Sequence, residues 1–396
     1  TKMNKHILEK DVQQFIKANR EKSPTEIALK KSPFPNVSSA ELASQIDGWQ
    51  RSVKKLPTWA FSEGIYYPDK INLEQCSSEH TALIKQTLIA KGSRVIDLTG
   101  GFSVDSCYLA QEAEEVIHCE LNEKLSEIVA YNAKILRVHN LICKATDGIE
   151  LLRQVEDHAF DYIYVDPSRR VNQGKVFLLE DCEPNIVANQ DLFFSKSKYI
   201  ISKVSPLLDI STALTSLKHV KYVYVISLDN DCKELLFIQE RGYEGETKIR
   251  AIRLFADQLQ TFEFTYDAER STMNRYAEPQ HYLYDSDVAI SKAGAFKSVG
   301  KCFGLGKLHQ HSHLYTSEVF QPEFPGRVFE VKQVLPYSTL KKNNPFLQAN
   351  IATRNFPEKV EVIRKKYKIK DGGKTYLFFT TDSNNQYIVI ECVRIR

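Results

Sequence analysis

The chain has 396 residues, 42% of them hydrophobic and 26% charged. That is too long for one ordinary core, and predicts two or three domains with enough apolar surface to fold. A net charge of +3 excludes binding to nucleic acid through global charge alone, and no apolar run approaches the length of a membrane span.

Residues 1 to about 60 read as helical. Ile7, Val12, Phe15 and Ile16 recur at helical spacing, and the first twenty residues are charged rather than signal-like. Ser23-Pro24-Thr25-Glu26 and Ser38-Ser39-Ala40-Glu41 read as helix starts. Lys55–Trp59 closes this region.

From about 75 to 265 strand-like runs alternate with helical ones. The predicted strands are 94–98, 116–120, 140–144, 161–165, 198–204, 220–228 and 234–239, and the clearest helix is 121–136. Such alternation predicts a parallel sheet. The last two runs, separated by 229–233, predict an antiparallel pair. Residues 248–266 add strand-like segments, and 267–280 is a polar, Arg-rich linker. From 281 onward short strands and helices follow, with turns at Pro325-Gly326 and Gly372-Gly373 and a final hairpin over 374–380 and 386–394. Eight cysteines are scattered without a Cys-x-x-Cys pair, which predicts reduced thiols in a cytoplasmic protein.

The chemistry-bearing positions fall at predicted strand ends. Val95-Ile96-Asp97-Leu98-Thr99-Gly100-Gly101-Phe102-Ser103-Val104-Asp105 is an apolar run, an acid, a Gly-Gly turn and a helix start. Open α/β sheets bind nucleotide-like ligands at such a turn. No third glycine follows at the dinucleotide spacing. An acid before the glycines suits a ligand with an amino group, as in S-adenosylmethionine. Gly100→Val is expected to fill the ligand's space without touching the sheet.

Glu120, with Leu121 beside it, ends the second strand about twenty residues later. It can accept from ribose hydroxyls, or simply favour a helix N-terminus. Asp147-Gly148 follows the third strand and can face an adenine amine, cap a helix, or do both. Asp166-Pro167-Ser168-Arg169-Arg170 ends the fourth strand. Its acid can orient an acceptor amine and its arginines can bind phosphate; an ordinary loop ion pair is the alternative. Upstream, Gln75 and Ser78 either reach the ligand's amino-acid end or merely start a helix.

Two later patterns stand out. In His309-Gln310-His311-Ser312-His313 a strand would place three histidines on one face, but no acid or cysteine adjoins them and no metal site is expected. Lys366, Lys368 and Lys370, read as a strand, form a stripe that either neutralises phosphates or guards a sheet edge, with Lys341-Lys342 nearby.

The four strand-end motifs resemble those of class I S-adenosylmethionine-dependent methyltransferases. More closely, the chain is similar to a bacterial methyltransferase family with a THUMP-like C-terminal domain. The shared segments are Glu74–Ala82, Asp166–Arg170, Lys203-Val204-Ser205-Pro206, Lys292–Phe296, Leu314–Ser317, Phe324–Arg327 and Arg354–Pro357. The resemblance implies an α/β architecture: an N-terminal helical region (1–70), a Rossmann-like methyltransferase domain (71–275), a small ferredoxin-like α+β segment (276–320) and a THUMP-like RNA-binding domain (321–396). It implies S-adenosylmethionine as cofactor, held by Gln75, Ser78, Asp97, Thr99, Gly100, Gly101, Phe102, Asp105, Glu120, Leu121, Asp147, Gly148 and Asp166. It also implies an RNA substrate, rRNA or tRNA, with Asp166, Pro167, Ser168 and Arg169 at the reacting centre.

Two departures from better-known RNA methyltransferases narrow the chemistry. Ser168 and Arg169 replace the second proline and stacking aromatic of enzymes that methylate exocyclic amines. Val204 stands where uracil-C5 enzymes carry a nucleophilic cysteine, so covalent C5 chemistry is disfavoured. A base nitrogen is the expected acceptor. The alternatives are a methyltransferase for a protein or small molecule, and a non-catalytic RNA-binding protein. A chain ending near 275 is expected to keep cofactor binding and lose most RNA binding.

Overall fold

The computed structural model describes residues 2–169 and 177–396. Arg170 lies outside the described residues, and so does the side chain of Arg169. The chain divides into two compact units, 1–221 with 236–245, and 222–235 with 246–396.

The first unit opens with helices Lys10–Asn19, Pro24–Leu29, Ser39–Lys55 and Pro57–Ala60. Pro24 sits in the first turn of its helix, where its missing N–H costs nothing. Ser38 Oγ accepts from the Glu41 amide at 3.1 Å, and Glu41 Oε2 accepts from the Ser38 amide at 2.8 Å. This reciprocal pair is a capping box and fixes where the longest helix begins. Leu42 and Ile46, one turn apart on it, are buried.

Five parallel strands follow: β1 (Arg94–Asp97), β2 (Glu115–Cys119), β3 (Leu141–Lys144), β4 (Phe160–Val165) and β5 (Ser197–Val204). β1 pairs with β2 on one side and β4 on the other, with Val95 opposite Val116 and Tyr162. β3 extends the sheet beyond β2, and β5 beyond β4. The order therefore reverses at β1, and the carboxyl ends of β1 and β4 flank the switch point where such sheets bind ligands.

β6 (Val220–Leu228) and β7 (Asp231–Glu240) are neighbours in the sheet, joined by Asp229-Asn230. Both turn residues have positive φ, 49° and 60°, as a tight hairpin requires. The connector is thus shorter than the expected 229–233. β8 (Lys248–Phe255) pairs parallel to β6, and β9 (Gln258–Phe264) antiparallel to β8. Within the predicted linker, Tyr266–Ser271 is helical.

The second unit also builds a seven-stranded sheet. Its strands are β10 (Tyr282–Ser286), β11 (Gly306–Lys307), β12 (Leu314–Ser317), β13 (Gly326–Pro336), β14 (Asn350–Arg354), β15 (Thr375–Thr381) and β16 (Tyr387–Arg394), in the order β11-β12-β10-β13-β16-β15-β14. Only β14 and β15 pair in parallel. Alternating side chains bury both faces: Phe378 and Ile390 pack with Leu283 and Phe329, while Phe379 and Val389 pack with Tyr337 and Ile363.

Three expectations are corrected here. Lys366 belongs to helix Val360–Tyr367 and Lys368 caps it in the left-handed region (φ 53°), so no lysine stripe runs along a strand. Residues 309–313 form a turn between β11 and β12, and His313 stacks on Phe296 with centroids 3.7 Å apart, so the three histidines share no strand face. Among the described residues no cluster suits a metal, and no helix is long and apolar enough to cross a membrane. Finally, Asp287 accepts from Ser227 Oγ at 2.5 Å and from buried Arg253 Nε at 3.1 Å. A cut near 275 removes this carboxylate together with helix Val288–Ala293, which packs on β8, so the truncation would uncover part of the large sheet rather than leave it intact.

Candidate active site

The carboxyl ends of β1, β2, β4 and β5 enclose a cleft of about 600 Å³. Its floor is the turn after β1. Asp97 Oδ1 accepts from the amides of Thr99 (3.0 Å) and Gly100 (3.2 Å) and from Thr99 Oγ1 (3.1 Å), while Oδ2 accepts from Ser106 Oγ at 2.7 Å. Asp97 thus spends its acceptors on the turn and the following helix rather than on an outward-facing group. Burial pushes its carboxyl up to about 7, against the lowering effect of the Ser106 and Thr99 hydrogen bonds.

The two glycines have different tasks. Both have positive φ, 57° and 69°. A Cβ on Gly100 would stand 2.3 Å from Cys119 O, whereas one on Gly101 would meet nothing within 4 Å. Gly100 is therefore required by the end of β2. This corrects the expectation that a side chain there would leave the sheet untouched. Gly101 is open to the cleft.

Glu120 clamps the same turn. Its Oε2 accepts from the Gly101 amide at 2.8 Å and its Oε1 from the Asn122 amide at 2.7 Å. Buried His118 supports Gly101 from below, with Nε2 3.2 Å from Gly101 O. Burial lowers the His118 pKa, so a neutral ring donates Nε2–H to that carbonyl. Asp147 caps helix Gly148–Gln154 through Ile149 (2.8 Å) and Glu150 (3.2 Å). A Cβ on Gly148 would lie 2.4 Å from Leu98 O, so the helix start is pressed against the end of β1.

Gln75, Thr99, Leu121 and Ser168 also line the cleft, and Leu121 is 73% exposed. Phe102 is buried, with its ring 6.4 Å from that of Trp59. Pro167 is buried and does not line the cleft; Arg169 pairs through its backbone with Cys182. Ser78 is corrected: its Oγ caps helix Glu79–Gln86 through the Thr81 amide at 3.3 Å, and Ser77 is the serine at the cleft.

Behind the turn lies a charge cluster that the sequence did not reveal. Lys85 Nζ is 2.9 Å from Asp105 Oδ1 and donates to Ser77 Oγ at 2.7 Å. Ser77 Oγ and Tyr164 OH both donate to Asp105 Oδ2. Burial acts to raise the Asp105 pKa, but the Lys85 and Lys203 cations hold it below the ordinary range. Lys203, near the end of β5, also donates to Asp166 Oδ2 at 3.1 Å, while Thr99 Oγ1 accepts from the Asp166 amide at 2.9 Å. Asp166 is thereby tied to both the glycine turn and β5. A lysine on the buried face of helix 79–86, in step with Ala82, was the one available signal for this cluster. Lys203 stands in a shared segment, but nothing in its local pattern marks it for this cluster.

Comparison with known proteins places this site in a family. A ferredoxin-like domain is matched over residues 282–325 and a THUMP domain-like segment over 326–394. The whole chain is similar to the crystal structure of a "putative methyltransferase" from Porphyromonas gingivalis W83, at 32% identity and a TM-score of 0.89, covering 100% of this chain and 99% of that one. The chain belongs to this bacterial methyltransferase family with a THUMP-like C-terminal domain. Over 134 residues it is also 30% identical to a tRNA (uracil(54)-C(5))-methyltransferase from Pyrococcus horikoshii. That match spans 31% of each chain, so this chain covers under a third of the curated relative's length. Within the family, the ferredoxin-like and THUMP-like segments share one sheet here: β10 of the first pairs with β13 of the second, Leu283 opposite Phe329.

Proposed function

We propose that this family member is an S-adenosylmethionine-dependent methyltransferase that modifies a base nitrogen in RNA, with rRNA or tRNA as the substrate class. The observation that carries the reading is the cleft at the switch point. It combines an open Gly101, a Glu120 carboxylate held by two amides, and an Asp166 carboxylate fixed at the far wall. The residues present suit the cofactor. The space over Gly101 admits close backbone approach, Glu120 retains lone pairs for ribose hydroxyls, and exposed Leu121 offers an apolar face to a purine. The cofactor supplies an electrophilic methyl group on a sulfonium.

The chain's own residues do the rest. Lys203 engages Asp166 Oδ2 and, among the described residues, leaves Oδ1 to accept the N–H proton of the attacking base. The Thr99 hydroxyl, accepting from the Asp166 amide, fixes that residue's backbone relative to the turn, which aligns acceptor and cofactor.

The name of the Pyrococcus horikoshii relative favours a second reading, transfer to a pyrimidine carbon. Val204 is buried and cannot attack. Of the thiols lining the cleft, burial raises the pKa of Cys76 and pushes that of Cys119 to about 12, so neither is poised as a thiolate. The exposed lysines 341, 342, 365, 366, 368 and 370 of the THUMP-like segment support a grip on phosphates.

The decisive experiment combines calorimetry with nucleoside mass spectrometry. The protein is expected to bind S-adenosylmethionine, and RNA from a deletion strain is expected to lack one N-methylated nucleoside that the purified protein restores. A folded protein that binds neither the cofactor nor its demethylated product would remove the enzyme reading. A covalent adduct with 5-fluoropyrimidine RNA would replace nitrogen by carbon as the acceptor.

A further inference from the structure

The chain's charge is unevenly distributed. Residues 326–394 carry thirteen Lys and Arg against six Asp and Glu, and residues 1–67 carry eleven against seven, so the rest of the chain is net acidic. The second basic region supplies no residue that lines the cleft described above.

Within it lies a groove of about 670 Å³, bounded by helix Lys10–Asn19, helix Ser39–Lys55 and the segment after Ala60. Trp49 forms its floor, held by an indole N–H that donates to Ala60 O at 3.0 Å. The Arg20 guanidinium lies over that indole, 4.5 Å from the ring centroid. Phe61 stands at the edge, 69% exposed. Lys10 and Lys17, two turns apart on one helix, supply the cationic wall. Lys17 makes an exposed pair with Glu63 at 2.8 Å, and among the described residues neither Lys10 nor Arg20 pairs with a carboxylate.

Exposed aromatic surface in a concave, cationic setting matches the needs of an unstacked nucleotide. A base stacks on an aromatic or guanidinium plane while its phosphate meets an ammonium. An acidic peptide would use the cations and leave Phe61 uncovered. The volume falls in the range of sites that enclose small organic groups.

The groove is also bolted to the catalytic cleft's own framework. Gly64 O accepts from Tyr131 OH at 2.9 Å, and Tyr66 exchanges hydrogen bonds with Asn132 at 2.8 and 2.9 Å. Tyr131 and Asn132 belong to helix Glu123–Ile135, on which Leu125 lines the cleft. From Leu125 to Tyr131 is about 9 Å along that helix.

We propose that this groove is a second RNA site, which seats one unstacked nucleotide of the same RNA whose target base enters the cleft. The proposal rests on the RNA reading above.

The test uses the full chain, a fluorescein-labelled 20-nucleotide single-stranded RNA, and anisotropy at several salt concentrations. Phe61→Ala is expected to weaken RNA binding about tenfold with an unchanged salt slope. Lys10→Gln with Lys17→Gln is expected to reduce that slope by about 1.4. Both variants should bind S-adenosylmethionine as the parent does. A 4-thiouridine RNA should photo-crosslink within residues 49–64. A control, Lys365→Gln with Lys368→Gln, separates the possible failures. If the control weakens RNA binding and the groove variants do not, the groove proposal is overturned and the RNA reading stands. If the parent binds no RNA, both fall. If the groove variants lose polyglutamate binding but keep RNA, the site docks an acidic protein and the proposal is again overturned.

Discussion

Lys85 Nζ and Asp105 Oδ1 are 2.9 Å apart, with the ammonium fully buried and the carboxylate nearly so. Asp105 lines the cleft and Lys85 does not, so the pair ties the cleft wall to helix Glu79–Gln86 and contributes to folding. Lys85→Met leaves a buried carboxylate short of a cation and is expected to cost about 3–5 kcal/mol in urea unfolding. Because Asp105 is held below its unfolded pKa, its stabilisation is present above about pH 4 and lost as pH falls through the lower folded value. Removing Lys85 raises that folded value, so acid unfolding should begin at a higher pH. An unchanged midpoint would show that Lys203 alone compensates Asp105.

Asp97 has the opposite sign. Its folded pKa of about 7 lies above the unfolded value of about 4, so the folded state binds its proton more tightly. Its effect on stability is most favourable below pH 4 and declines as pH rises through 7. Asp97→Asn keeps an acceptor for Thr99 and Gly100 and offers an amide to Ser106. Relative to the parent, the variant is expected to gain stability between pH 5 and pH 8, read by urea unfolding at both. A constant difference between the two proteins at both pH values would show that Asp97 is ionised throughout.

Gly100 and Gly101 are predicted to separate folding from binding. Gly100→Ala drives a Cβ to within 2.3 Å of Cys119 O and should destabilise the protein by more than about 2 kcal/mol. Gly101→Ala meets open space and carries only the left-handed strain of about 1–2 kcal/mol. Its methyl group projects into the cleft, so calorimetry should show lost cofactor affinity in a folded protein. Equal thermal shifts for the two variants would contradict this division.

Glu120→Ala removes an acceptor from the amides of Gly101 and Asn122. Cofactor binding should weaken by about 1–3 kcal/mol. An unchanged dissociation constant would confine Glu120 to bracing the turn.

Asp166→Ala should leave cofactor affinity within about twofold and lower the transfer rate by about two to four orders of magnitude. Its amide still meets Thr99, so the turn keeps its shape. Single-turnover rates at saturating cofactor make the comparison, and a rate close to the parent's would assign proton acceptance elsewhere.

The sheet was legible because each strand carries its own local pattern and ends in a turn residue with a conformational reason to be there. The glycine turn, Glu120 and Asp147 could be read because their partners lie within a few residues or one strand away. Lys85, Tyr164 and Lys203 could not be read as a group. Three separate elements deliver them to one carboxylate, and only a lysine on a buried helix face hinted at it. The reading failed where two periodicities competed. In 360–370 the alternating lysines suggested a strand, while buried Ile363 and the flanking turns belong to a helix. In 309–313 alternation had no strand to act on, because the turn after β11 had already begun.

The pairing of β10 with β13 has an evolutionary corollary. The boundary between the two matched C-terminal segments, at 325/326, falls at the first residue of a strand that zips directly onto its predecessor. Leu283 and Phe329 share one core across that seam. Recombination at the seam would hand each descendant half a sheet with an open edge, a species prone to aggregate. The ferredoxin-like and THUMP-like segments are therefore expected to be gained, lost and transplanted together, as one heritable piece with two names.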